Sequence, residues 1–200
     1  MSTAPGNPGS SDADASRVAD RKILLGVTGG IACYKAAALV SQLVQHGAQV
    51  RVAMTESATR FVGPITFQSL SGQPVQTSIW EADDRPDAQH IALSRWCDVF
   101  VIAPATANCL AKLAAGLCDD PVTLSAAALP RTTPALIAPA MNADMWANPV
   151  NQRNLTTIRE TLGWTIIDPE EGWQACRTKG AGRMAEAETI AARVSHVLSK

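Results

Sequence analysis

The sequence predicts a doubly wound α/β domain, in which helices cover both faces of a parallel sheet. Three observations support this prediction. Short apolar strand candidates alternate with helical stretches, the strand candidates are near-continuous runs of Val, Ile, Leu and Ala, and 46% of the 200 residues are hydrophobic. Strands buried on both faces have this composition, and a chain of this size can bury one substantial core.

The predicted elements follow each other in a regular order. Strands are predicted at 23–28, 49–54, 99–103, 134–138 and 165–167. Helices are predicted at 32–46, up to about 61, near 108–115, near 122–128, after Pro149 and at 187–198. The acidic and proline-rich stretch 72–89 is expected to be an irregular loop. Residues 1–19 are expected to be a disordered arm, which leaves 20–200 as one domain.

Composition excludes several function classes. A formal net charge of −1 gives no bias toward nucleic acid or an anionic membrane, and the apolar runs are too short to span a bilayer. The five cysteines are an odd number without a CxxC pair, which is typical of reduced thiols in a cytoplasm. Four of them are expected to fill the core. Asp119 and Asp120 lack a nearby His and make a poor metal site, so a helix start before Pro121 is the better interpretation.

Three strand ends carry residues suited to a ligand, and such ends meet at one edge of a parallel sheet. The glycine turn 28–32 leads into a helix and could bind an anion, or could be a tight turn without a ligand. Thr55 offers a hydroxyl for a phosphate where a dinucleotide site would need an acidic residue. The small and polar residues of 103–108 would let a flat ring approach the backbone. Together these ends favour a mononucleotide, FMN before NAD.

Asn142 is a polar residue among apolar neighbours, just after the strand predicted at 134–138. Its neutral carboxamide could bind a carboxylate without a strong ion pair, which matters if that carboxylate must leave as carbon dioxide. The alternative is that Asn142 merely forms a turn at the strand end.

A set of motifs in fixed order carries a family resemblance. These are VTGGIACYK from Val27, MTESATRF from Met54, QHIALSRWCDVFVIAPATAN from Gln89, AKLAAGLCDD from Ala111, PAMNADMW from Pro139 and ACRTKGAGRMAE from Ala175. Over about residues 22–192 the chain resembles the homo-oligomeric flavin-containing cysteine decarboxylases. The resemblance implies bound FMN, a Rossmann-like (flavodoxin-like) three-layer fold, a small-molecule substrate, and a homotrimer, or a dodecamer of trimers, with active sites between subunits.

The resemblance also implies roles for individual residues. His90 and Cys176 would be catalytic, with Cys176 in a flexible flap at about 170–186. Substrate would be bound by Asn142, Ala140, Met141 and Arg183. The flavin would be bound by Gly29, Gly30, Ile31, Thr55, Thr106, Ala107, Asn108 and Ala140. Met145 and Trp146 would pack behind the site.

Two of these assignments have alternatives. His90 lies beside Ile91, Leu93 and Trp96 at helical spacing, where a histidine is more often a surface or cap residue. Arg177 replaces the Gly that many members have after the flap cysteine. With Lys179 and Arg183, it could bind a substrate phosphate or line a solvated flap.

The implied chemistry needs an electron sink, because losing carbon dioxide from a cysteine carboxyl end would leave an unstabilised carbanion. FMN would oxidise the carbon next to sulfur to a thioaldehyde, and decarboxylation would give an enethiolate. Cys176 would protonate the enethiolate and the hydride would return from the reduced flavin, so the reaction involves no net oxidation. His90 would take the thiol proton of the substrate or fix the thiolate.

Three functions follow as hypotheses. The first is decarboxylation of 4'-phospho-N-pantothenoyl-L-cysteine to 4'-phosphopantetheine in coenzyme A biosynthesis. The second is decarboxylation of a C-terminal peptidyl cysteine, against which Cys176 argues. The third is a regulatory, phosphatase-inhibitor-like subunit, which would have lost a catalytic residue and gained an acidic tail.

Overall fold

The computed structural model describes residues 17–80, 89–175 and 177–199, apart from the side chain of Gln89. Cys176, most of the predicted N-terminal arm and part of the predicted 72–89 loop lie outside these residues. Val18 was assigned to the arm from sequence, yet its side chain is only 1% exposed in the core. Packing therefore begins before residue 20.

Six parallel strands form the central sheet, in the order β3-β2-β1-β4-β5-β6. They are β1 (Lys22–Val27), β2 (Gln49–Met54), β3 (Val75–Gln76), β4 (Val99–Ala105), β5 (Ala135–Pro139) and β6 (Thr165–Ile166). Without the two-residue edge strand β3, the order is that of flavodoxin-like sheets. The doubly wound α/β prediction is confirmed. Strand order reverses between β1 and β4, where such sheets bind ligands.

Nine helices are described in this part of the chain. They are α1 (Cys33–Gln45), α2 (Glu56–Thr59), α3 (Pro64–Ser71), α4 (Gln89–Trp96), α5 (Ala107–Ala115), α6 (Pro121–Ala127), α7 (Ala143–Ala147), α8 (Pro149–Thr157) and α9 (Ala187–Leu198). A π-helical turn, Ile158–Leu162, extends α8. Asp120 caps α6 by accepting the N–H groups of Val122 and Thr123, as expected for a helix start before Pro121.

Alternate strand residues build one core on each face of the sheet. Ile23 and Leu25 of β1 face the core formed with α1, α3 and α9, whereas Leu24 faces the core formed with α5, α6 and α8. Gly26 lies on this second face, where an added Cβ would stand 2.7 Å from Cγ1 of Val122. A glycine there lets α6 pack close to β1.

The sequence missed α3, α7, β3 and a hairpin, and it indicated α4 only through the helical spacing around His90. α3 begins with Pro64 and ends at Gly72 in the left-handed region (φ +65°), both ordinary helix boundary signals. The predicted flap is an antiparallel hairpin of β7 (Glu170–Trp173) and β8 (Lys179–Arg183). Its glycine-rich strands lack the apolar alternation by which strands are recognised.

Candidate functional site

A cavity of about 850 Å³ opens at the carboxyl ends of β1, β4 and β5, beside the point where strand order reverses. This volume is typical of sites for cofactors and small ligands. Loops after the three strands, the start of α1 and the hairpin enclose it. Its lining comprises Gly29, Gly30, Ile31, Ala32, Tyr34, Lys35, Ser57, Thr106, Ala107, Asn108, Ala140, Met141, Asn142, Met145, Trp173, Gln174, Ala175, Gly182, Arg183 and Met184.

The glycine turn after β1 presents bare backbone to the cavity. Within the described part of the chain, no hydrogen bond uses the N–H groups of Gly30, Ile31 and Ala32, and no side chain caps α1. A side chain at Gly29 would collide with Ser57, which lies directly beside the turn. Unpaired N–H groups at the positive end of a 13-residue helix, facing a serine hydroxyl, can bind an anion such as a phosphate.

A pair of threonines joins the ends of β1 and β4. The Thr28 hydroxyl donates to the carbonyl of Pro104 at 2.7 Å and accepts the N–H of Thr106 at 3.0 Å. Thr106 also caps α5 by accepting the N–H of Cys109 at 3.3 Å. These bonds fix the backbone that leads into Ala107 and Asn108, the small and polar residues of this wall.

Asn142 follows β5 and caps α7. Its Oδ1 accepts the N–H of Met145 at 2.8 Å, while no described residue accepts a hydrogen bond from its NH2 group. Asn142 is therefore a helix cap and not the turn former at the strand end that the alternative interpretation expected. The two donors remain available on a side chain that lines the cavity.

The hairpin is bonded directly to the Asn142 segment. Met141 donates its N–H to the carbonyl of Gly182 at 2.9 Å. Gly182 has φ +121°, and a Cβ there would collide with the carbonyl oxygen of Met141. Only glycine combines this conformation with such a close approach. Trp173 and Ala175 complete this wall and are both exposed.

Lys35 and Arg183 are the cationic residues that line the cavity, and both contact Glu186. Lys35 is buried and donates from Nζ to the carbonyl of Met184 at 2.8 Å and to Oε1 of Glu186 at 3.0 Å. Arg183 pairs with the same carboxylate. Lys35 thus holds the base of the hairpin, and part of its charge is neutralised there.

The cavity brings together most of the residues predicted from sequence. Its lining includes Gly29, Gly30, Ile31, Thr106, Ala107, Asn108, Ala140, Met141, Asn142 and Arg183. Thr55 does not line it, because its hydroxyl caps α2 and contacts Ser57. Met145 lies at the cavity with 43% of its surface exposed instead of packing behind the site.

His90 also does not line this cavity. It lies on α4, where its carbonyl accepts a hydrogen bond from the Ser94 hydroxyl at 2.6 Å.

Four residues that line the cavity were not predicted from sequence: Ser57, Lys35, Tyr34 and Gln174. Ser57 could have been found from its place two residues after Thr55, but no sequence pattern marks Gln174.

The cysteines differ in burial. Cys33, Cys97 and Cys109 are buried, and burial raises the pKa of each thiol, to about 12 for Cys97. Cys118 is only partly buried, so the expectation that it fills the core is wrong.

Among the described residues, no group of three His, Cys, Asp or Glu could hold a metal ion. No helix in the same ranges has the length and apolar character needed to cross a bilayer.

A family model described as Flavoprotein matches residues 12–199, nearly the whole chain. The chain belongs to the flavoprotein family. The flavin expected from the strand ends and from the motif order thus agrees with the family's name.

Curated relatives of this flavoprotein differ in length. The "Probable phosphopantothenoylcysteine decarboxylase" of Streptococcus mutans is 43% identical over 178 residues, covering 89% of this chain and 99% of the relative. The "Coenzyme A biosynthesis bifunctional protein CoaBC" of Bacillus subtilis is 47% identical over 171 residues, or 86% of this chain. The match covers 41% of that relative, so the chain spans about two fifths of the bifunctional protein.

Solved structures of similar flavoproteins share the fold. A cysteine-to-serine mutant of PPC decarboxylase, complexed with pantothenoylaminoethenethiol, superposes with a TM-score of 0.80 at 34% identity, covering 90% of this chain and 100% of its own. The FMN-dependent cysteine decarboxylase SpaF superposes with a TM-score of 0.78 at 31% identity, covering 92% and 99%.

Proposed function

We propose that this flavoprotein is an FMN-dependent decarboxylase that converts 4'-phospho-N-pantothenoyl-L-cysteine to 4'-phosphopantetheine. One observation carries the proposal. A single cavity joins an uncapped helix start, suited to a phosphate, to the Asn142 carboxamide, suited to a carboxylate. The Streptococcus mutans relative and the PPC decarboxylase structure support the choice of substrate.

The residues of the cavity fit a flavin mononucleotide. The N–H groups of Gly30, Ile31 and Ala32 and the Ser57 hydroxyl would hold its phosphate. Ala107 and Asn108 would lie along the ring, since small side chains permit close approach and the amide can bond a polar edge. Bound FMN supplies the reversible oxidation at the carbon next to sulfur that makes loss of carbon dioxide possible.

Asn142 would orient the leaving carboxylate. Its two free N–H donors bond the carboxylate oxygens without adding a positive charge, so the carboxylate can still leave as neutral carbon dioxide. Met141 and Ala140 shape the adjoining backbone. Arg183 stands on the hairpin side of the same cavity, where it would contact the substrate's polar groups.

Two further roles complete the reaction. The carbon that loses carbon dioxide must regain a proton, and we assign that donation to Cys176, whose placement lies outside the described residues. His90 would handle the thiol proton of the substrate. Since His90 does not line the cavity of its own chain, we assign it to the cavity of a neighbouring copy.

A homotrimer with sites between subunits would bring these groups together. Large apolar side chains are exposed at the start of α1 and on the α2–α3 segment, at Ile31, Tyr34, Phe61 and Ile65, with exposures of 52–67%. Burying them against another copy would be favourable.

We place this enzyme in the cytoplasm, whose reducing conditions suit its four described free cysteines, Cys33, Cys97, Cys109 and Cys118.

The test is an anaerobic assay of the purified protein, with its visible absorption recorded first. We expect bound flavin and mass-spectrometric conversion of phosphopantothenoylcysteine to 4'-phosphopantetheine. A peptide ending in cysteine serves as the competing substrate. If the flavin-loaded protein turned over only the peptide, a peptidyl cysteine would be its substrate instead of phosphopantothenoylcysteine. Flavin with no turnover of either would favour a regulatory subunit.

A further inference from the structure

We propose that Gln174 is a positioning residue that fastens the hairpin β7–β8 to the Asn142 segment and so sets where the hairpin stands over the cavity. The kinetic part of this inference rests on the proposed decarboxylation. The structural part does not. Gln174 follows the end of β7 and lines the cavity, and it is only 7% exposed.

The Gln174 carboxamide bonds two separate segments at once. Its Oε1 accepts the backbone N–H of Ala143 at 3.1 Å, and its Nε2 donates to the carbonyl of Ala181 at 2.9 Å, with Gly180 at 3.4 Å. Ala143 is the first residue of α7, so its N–H has no partner within the helix. Gln174 thus satisfies a donor that α7 itself leaves unpaired.

The backbone of Gln174 is held in the tip of the hairpin. Its N–H donates to the carbonyl of Thr178 at 2.9 Å, and its carbonyl accepts the N–H of Arg177 at 2.9 Å. Through its side chain, the tip is therefore tied to α7 and to the opposite strand β8. The bond from Met141 to Gly182 is a second link between the same two segments.

The hairpin and α7 pack closely beside this contact. A Cβ added at Gly180 would stand 2.7 Å from the Cβ of Ala143. Without Gln174, the N–H of the half-buried Ala143 would lose its hydrogen-bond acceptor. Because Asn142 immediately precedes Ala143, releasing this contact also frees the segment that orients the substrate carboxylate.

Only a carboxamide can make both sets of bonds. Glutamate would keep the acceptor for Ala143 but lose the donor to Ala181, and leucine would lose both at similar volume. The base of the hairpin is held differently, by the charged contacts of Lys35 and Arg183 with Glu186. Substituting Gln174 therefore tests the tip separately from the base.

The test compares Gln174→Leu, Gln174→Glu and the control Gln49→Leu, at the exposed start of β2, by amide hydrogen exchange of the flavin-loaded protein. We expect about tenfold faster exchange of the Ala143 amide in Gln174→Leu. In Gln174→Glu this amide should stay protected while those of β8 exchange faster. Gln49→Leu should match wild type throughout. Should Gln174→Leu not fold, Gln174→Glu still tests the contact with β8.

The kinetic measurement adds a readout that a general loss of stability would not give. Gln174→Leu should raise the KM for the phosphopantothenoyl substrate about tenfold at unchanged flavin absorbance, and Gln174→Glu should recover part of that loss. Unchanged exchange at Ala143 in Gln174→Leu and at β8 in Gln174→Glu would overturn the inference. An inactive wild type with the expected exchange pattern would instead refute the proposed function alone.

Discussion

Asn142 accepts the backbone N–H of Met145 at 2.8 Å with its Oδ1, so its acceptor stabilises α7 and its NH2 group is left for a ligand. The two ends of one carboxamide thus have separate tasks. Because they are separate, structure and substrate binding at this residue can be tested independently.

Asn142→Asp should retain the helix cap and lose the substrate. A carboxylate caps a helix as well as an amide does, but it has no N–H to donate and repels the substrate carboxylate. We expect an unchanged melting temperature and a roughly 10- to 150-fold loss of kcat/KM. This range corresponds to the loss of one hydrogen bond to a charged group, which contributes about 1.5–3 kcal/mol.

Asn142→Ala is the matched control, because it removes the cap as well. It should lower stability by about 1 kcal/mol and reduce activity too. Asn142→Asp with wild-type kcat/KM would show that the carboxamide donors do not bind the substrate.

Mixed trimers of His90→Asn and Asn142→Asp chains should recover activity that each variant lacks alone. If the histidine and the asparagine of one site come from different subunits, random assembly at equal amounts gives about a quarter of sites with both native residues. Chains carrying both substitutions are the control and should stay inactive. No recovery in trimers verified to be mixed would place both residues in the same subunit.

Stability should fall at alkaline pH because of the buried thiols. Burial raises the pKa of Cys97 to about 12, above the reference value of 9.0, so between these values the native thiol keeps a proton that the unfolded chain releases. The stabilising contribution of the Cys97 thiol to the free energy of unfolding is therefore fully present below pH 9 and declines as pH rises toward 12. Urea unfolding at pH 8 and pH 10.5 measures this decline.

Cys97→Ala should show a smaller alkaline decline in the free energy of unfolding than wild type. An identical decline in the Cys97 variant would rule out this thiol as its source.

Arg177→Gly separates the charge of the hairpin tip from its backbone conformation. Arg177 has φ +64°, the left-handed region that glycine adopts readily, so glycine fits this backbone conformation without strain. We expect the fold to be kept and the KM for the phosphorylated substrate to rise severalfold, with little change for its dephosphorylated analogue. Arg159→Gln, at an exposed position on the π-helical turn after α8 and not on the hairpin, is the charge control. Equal effects on both substrates would show that Arg177 does not bind the phosphate.

The fold and much of the site could be predicted from sequence because the informative residues follow buried strands. Val99–Ala105 and Ala135–Pro139 are continuous apolar runs, and polar or small residues stand directly after them. Parallel strands bring those ends to one edge, so local patterns are enough to place Thr106 and Asn142 together.

The rest depends on contacts that local patterns do not contain. Gln174 owes its place to bonds with Ala143 and Ala181, which become neighbours only when the hairpin folds back. Thr55 was predicted as a ligand residue, but the same hydroxyl can cap a helix, and here it does. His90 lies on α4, as its helical spacing indicated, but it does not line the cavity of its own chain, so its proposed role depends on a second copy.

Loss of carbon dioxide from phosphopantothenoylcysteine is the reaction expected of this flavoprotein. Its most direct test follows the cysteine carboxyl carbon, labelled with carbon-13, through an anaerobic reaction with purified enzyme. The account predicts labelled carbon dioxide and 4'-phosphopantetheine in equal amounts, with both lost in Asn142→Asp. Product formation without labelled carbon dioxide, or a flavin-loaded wild type that releases none, would contradict it.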